Sequence, residues 1–161
     1  MNILRIWRYY MSLKLTIELV PATSWYNNLR DKMRQSQWDK LRKNVYAEYE
    51  YKCGICGASE DRLNCHEIWE YDDTKHEQKL KGFIALCNMC HFVKHIGQAN
   101  ILAQQGRLDL EKVIEHFMEV NNCNRDTFEH HRQKAFGQWR ERSLQEWLVD
   151  LGEYEDLIEK A

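Results

Sequence analysis

Apolar and polar residues change their spacing several times along the chain, and each change marks an element. Leu13, Leu15, Ile17 and Leu19 alternate with Lys14, Thr16 and Glu18, the period-two pattern of a strand with one buried face. Pro21 should end it. Residues 25–29 have no period and read as a connection. From Ser36 the spacing widens: Trp38, Leu41, Val45 and Tyr49 recur at three or four positions, which predicts a helix over 36–50 with Ser36 and Asp39 as its capping pair. Segments 63–69 and 83–86 read as two strands joined by a polar loop over 71–81, and a helix is expected at about 88–97, with Gly97 and Gly106 as punctuation. Asp109 suits the N-cap of a helix whose stripe is Leu110, Val113, Ile114, Phe117 and Val120. Asp126 or Thr127 starts another, burying Phe128, Ala135, Phe136 and Trp139. The apolar run 147–151 adds a strand or covers an edge.

Composition narrows the picture. With 161 residues, 43% of them hydrophobic and a single proline, the chain suits one domain over 1–161, comprising a core at 45–100 and a helical C-terminal extension at 105–147. A formal net charge of −2 excludes a polycation, so any nucleic-acid contact must come from a local patch. Residues 30–43 hold six basic against two acidic side chains; Lys40, Arg42 and Lys43 on the expected helix are either a phosphate-binding surface or an ordinary solvated face. The acidic tail over 150–161 reads as solvated, or as a surface for a protein partner. Positions 1–12 carry two arginines and a short broken apolar run, which supports neither a signal peptide nor a membrane span; Met11 is an alternative start to Met1. Six cysteines without a disulfide-like pattern fit a reducing cytoplasm.

Four of those cysteines form two knuckles, Cys53-Gly-Ile-Cys56 and Cys87-Asn-Met-Cys90, able to supply four thiolates to a tetrahedral zinc. Gly54 and Gly57 suit the tight, partly left-handed backbone of such a turn. A structural ion outweighs a redox pair, because no thioredoxin-like βαβ pattern accompanies them. The second knuckle runs into His91 and His95, four residues apart and therefore on one helix face. Cys65 reads as a small buried residue, and His116, His130 and His131 as solvent-facing.

Taken together, a Cys-x-x-Cys knuckle, a strand containing His66-Glu67, and Leu86-Cys-x-x-Cys-His91 leading into a helix resemble the HNH endonuclease family over about residues 45–100. The resemblance implies an α+β fold, a zinc-bound ββα-metal core with flanking helices. It further implies metal-dependent hydrolysis of phosphodiester bonds in DNA, with structural Zn2+ on Cys53, Cys56, Cys87 and Cys90 and a separate catalytic Mn2+, Ni2+, Zn2+ or Mg2+. By position, His66 and His91 match metal ligands, His95 matches an extra ligand of the histidine-rich members, and Glu67 stands where the general-base histidine usually lies. Lys94 joins Lys40, Arg42 and Lys43 as an expected nucleic-acid contact. Two departures stand out. No asparagine occurs over 71–86, where the family's middle asparagine belongs, and an unperturbed glutamate at about pKa 4.3 is a weaker base near neutrality than a histidine at about 6.5. His76 is a possible substitute base. Adjacent residues of a regular strand face opposite ways, so His66 and Glu67 share an ion only if the strand ends or bulges there. The alternative reading is a catalytically degenerate zinc module that binds nucleic acid or a protein partner.

Overall fold

The computed structural model describes residues 13–25 and 28–158, so the expectations about positions 1–12 lie outside the described residues. Five α-helices and three strands appear among those residues: α1 Gln35–Glu48, β1 Asn64–Asp72, β2 Glu77–Leu86, α2 Asn88–Lys94, α3 Ile96–Gln104, α4 Leu110–Asn121, α5 Arg125–Arg142 and β3 Leu148–Asp150. Short 3-10 turns occupy Arg30–Lys32 and Gly152–Leu157. The class is mixed α+β. None of the described helices is long and apolar enough to cross a membrane.

The strands form one sheet in the order β1-β2-β3, with β1 antiparallel and β3 parallel to β2. The hairpin is longer than its apolar pattern suggests, and residues 73–76 alone make the turn. Charged pairs extend the ladder where apolar residues run out: Lys81 with Glu70 at 3.8 Å and Lys79 with Asp150 at 3.5 Å. Ile68 faces Gly82 and Trp69 faces Leu80, so Lys81 is the extra residue of a bulge in β2.

Two apolar clusters flank the hairpin. On one side Leu86, Val93, Ile96, Val113, Phe117 and Phe128 pack with Leu15 and Ile17. On the other, Leu80, Phe83 and Ala85 pack against Leu29, Trp38, Val45 and Leu151. The stripe of α4 is as expected, and Asp109 accepts from the Glu111 amide at 3.1 Å.

The expected N-terminal strand is not a strand. Its alternation is real, with Leu15 and Ile17 buried, but apart from the Glu18 N–H, which donates to the Lys94 carbonyl at 3.0 Å, the backbone bonds run to side chains of helices. Asn121 accepts from the Leu15 N–H at 3.0 Å and donates to the Leu15 carbonyl at 2.9 Å. His131 Nε2 accepts from the Ile17 N–H at 2.9 Å, and Trp139 Nε1 donates to the Val20 carbonyl at 3.0 Å. Residues 13–20 are an extended strap held by α4 and α5.

Helix ends also differ. Arg34, not Ser36, caps α1, its N–H donating to Gln37 Oε1 at 3.2 Å. Asp39 instead holds Arg42 at 2.7 Å and Gln35 at 3.1 Å. Asn124, earlier than expected, caps α5 by accepting from the Thr127 N–H at 3.0 Å. The expected helix at 88–97 breaks at His95 (φ −105, ψ 49), and Gly97 lies inside α3.

Candidate metal centres

The loop after α1 and the N-terminus of α2 bring the two knuckles together. Gly57 adopts φ +76 and closes the first turn by donating to the Cys53 carbonyl at 2.9 Å. Gly54 is needed for a different reason: its N–H donates to the Ala85 carbonyl at 2.8 Å, and a Cβ there would lie 2.5 Å from the Tyr49 ring and 2.8 Å from Ile84 Cγ1. The second knuckle uses Cys87 as the N-cap of α2, with the Cys90 N–H donating to its Sγ at 3.4 Å.

All four sulfurs lie within 4.8 Å of one another, and Cys56 Sγ is 3.6 Å from Cys87 Sγ. Zinc–sulfur bonds of about 2.3 Å in a tetrahedron put sulfurs about 3.8 Å apart, so the cage fits such an ion. Hydrogen bonds from Cys87 and then Cys90 hold the Cys53 thiol low, whereas the bond to Cys53 pushes Cys87 up to about 12 and drives Cys90 up as well. A divalent cation would allow all four to ionise. His116 of α4 adds a contact that its sequence position did not reveal, with Nε2 at 3.2 Å from Cys90 Sγ.

A second cluster lies where β1 meets α2. The ligand nitrogens of His66, His91 and His95 lie within 4.8 Å of one another, with ring centroids 5.7 Å apart for His66–His91, 4.9 Å for His66–His95 and 4.6 Å for His91–His95. Burial, then the neighbouring histidines, holds His91 down to about 3; burial, then His66, holds His95 down to about 4. The rings of His91 and His95 are thus neutral near pH 7, the form that binds a metal.

Behind His66 stands a network that no sequence motif announces. Glu18 of the strap reaches His66 Nε2 at 3.0 Å and Lys94 Nζ at 2.5 Å, and Lys94 also donates to Thr16 Oγ1 at 3.1 Å. Burial alone would raise the Glu18 carboxyl, but the bond to His66 and the charge of Lys94 outweigh it and set its pKa at about 2. An ionised acceptor on one ring nitrogen fixes the orientation of His66.

No protein-family model, curated protein or solved structure matches this chain. The site therefore rests on its own geometry.

That geometry separates several residues grouped by sequence. β1 stays regular at 66–67, so Glu67 does not join the histidines: its carboxylate accepts from the Leu29 N–H at 2.7 Å and Trp69 Nε1 at 3.1 Å. Burial raises its pKa above the usual carboxylate value. Lys94 is buried and ion-paired, which corrects its assignment as a nucleic-acid contact. Lys40 and Lys43 are exposed, whereas Arg42 is tied to Asp39. His76 packs on Trp147 at 5.7 Å in the hairpin turn. His131 is not solvent-facing either: it bonds the strap and stacks on Phe117 at 5.6 Å. Cys65 is half-buried, with its thiol pushed up to about 12 by burial and then by Glu67.

The histidine cluster opens into a cleft of about 740 Å3 between α1 and the sheet, whose lining includes Trp25, Arg30, Trp38, Arg42, Glu67 and Trp69. A smaller cavity of about 210 Å3 reaches His66 and His95 from the α5 side, past Gln138 and Arg142.

Proposed function

We propose that this chain is a metal-dependent nuclease of the HNH type, hydrolysing phosphodiester bonds in DNA. The observation that carries the reading is the trio His66, His91 and His95, three imidazoles converging at the junction of hairpin and helix beside an open cleft. The adjacent four-cysteine cage supports it, because an ion there would tie the knuckle, hairpin and helix that carry the histidines.

Two separate jobs follow from the two donor sets. Four thiolates close a tetrahedron and leave no position for substrate, which suits a structural ion. Three imidazoles leave positions open. Held there, a divalent ion would supply Lewis acidity to a phosphoryl oxygen and a bound water of lowered pKa, and imidazole donors favour zinc, nickel or manganese over magnesium. The chain's own residues do the positioning: Glu18 orients His66, while burial keeps His91 and His95 unprotonated. Glu67 is a wall residue in this scheme, because its carboxylate is engaged by Leu29 and Trp69.

A catalytically degenerate module that binds nucleic acid or a protein partner is the second reading, favoured by the engagement of Glu67 away from the cluster and by the burial of Lys94 in an ion pair with Glu18. Plasmid DNA incubated with manganese or nickel, with and without chelator, separates them. The nuclease reading expects metal-dependent nicking; DNA binding with salt dependence but no nicking would favour the module.

A further inference from the structure

The cleft contains more than the histidines require. Gln78 of β2 is 1% exposed and lines the cleft, and its Oε1 has no hydrogen-bond partner among the described residues. A buried amide oxygen left without a donor is costly, which marks a place where a ligand can supply one. Trp25 at the mouth is 62% exposed, and Trp69 lies within. Charge argues against a phosphate track, since the lining sets Arg30 and Arg42 against Asp31, Asp39 and Glu67.

We propose that this cleft receives one unpaired nucleotide of the substrate, its base beside Trp25 and Trp69 and its amino-bearing edge donating to Gln78 Oε1. The assignment rests on the nuclease reading for its biological meaning, and it deepens that reading by naming the substrate as single-stranded or locally unpaired. Indole faces accept any base, so stacking supplies affinity without sequence preference. Selection comes from the buried acceptor. Adenine, cytosine and guanine carry exocyclic amino donors, whereas thymine offers a single ring N–H between two carbonyls, and one good pair of edge contacts discriminates by about tenfold or more. A volume near 740 Å3 is the size of a small-molecule pocket, enough for one nucleotide.

The test titrates the whole zinc-loaded chain, without added catalytic metal, with the four 2′-deoxynucleoside 5′-monophosphates and follows tryptophan fluorescence. The proposal expects saturable quenching, with thymidine monophosphate binding about tenfold more weakly than the other three. Trp25→Ala should remove most of the quench. Gln78→Leu should erase the discrimination while the melting temperature holds or rises, because the change removes a buried unpartnered acceptor. Equal response to all four nucleotides, or discrimination that survives in Gln78→Leu, overturns the subsite. The binding arm needs no cleavage, so it reads separately from the nuclease: selective binding without nicking would refute the nuclease and leave the subsite standing, and nicking without selective binding would do the reverse.

Discussion

Single residues settle which histidines matter and why. His131 accepts from the Ile17 N–H and must be neutral to do so; burial, then the charges of Lys134 and Lys94, hold it down to about 4. The unfolded chain takes up this proton below about pH 6.5, the folded chain only near pH 4. Stability present above about pH 6.5 is therefore lost as pH falls toward 4, and each tenfold difference in proton affinity between the two states is worth about 1.4 kcal/mol. The melting temperature should drop across that window, and His131→Asn should flatten the drop; an unchanged slope in the variant would contradict the assignment. His116 belongs to the other centre. Its contact with Cys90 predicts that His116→Ala releases zinc to a chromophoric chelator about tenfold faster than wild type, with the fold intact. Equal release rates would reduce it to packing.

At the scale of elements, what local pattern determines was readable in advance, and what distant partners determine was not. The stripe on α4 and both knuckles depend on residues a few positions apart, and the sequence displays them directly. The strap does not. Its period of two is a strand's, yet its partners are Asn121, His131 and Trp139, more than a hundred residues away, and no spacing announces them. Lys94 looked like a surface cation because its neighbour in the ion pair, Glu18, comes from that same strap. Glu67 was ambiguous for a nearer reason: its direction depends on whether β1 bulges at 66–67, and the bulge lies instead opposite Ile68 and Trp69. The first knuckle carries a sharp prediction. Gly54→Ala must displace the Tyr49 ring or Ile84, which should destabilise the protein by about 1–3 kcal/mol in denaturant unfolding. A neutral outcome would mean the knuckle sits further from α1 than described.

For the whole molecule, two centres with different donor sets should respond differently to loss of metal. Thiolate binding of zinc supplies on the order of 10 kcal/mol, comparable to the stability of a domain. Cys90→Ser should therefore give insoluble or protease-sensitive protein, while Cys123→Ser, outside the cage, melts like wild type. A soluble, cooperatively melting Cys90→Ser protein without zinc would refute the structural role. Lys40 and Lys43, exposed on α1, belong to this scale too: their replacement by glutamine should weaken DNA binding and lower its salt dependence if that face meets phosphates. The central claim is that a second, exchangeable ion sits on His66, His91 and His95 and that cleavage depends on it. Metal content per chain, measured after equilibration with manganese and removal of free ion, tests this most directly when the same samples are assayed for nicking. Wild type should retain one tightly held zinc and bind one manganese, and His91→Ala should keep the zinc and its melting profile while losing both manganese and cleavage; one metal per chain in both proteins, or nicking undiminished in His91→Ala, would contradict the account.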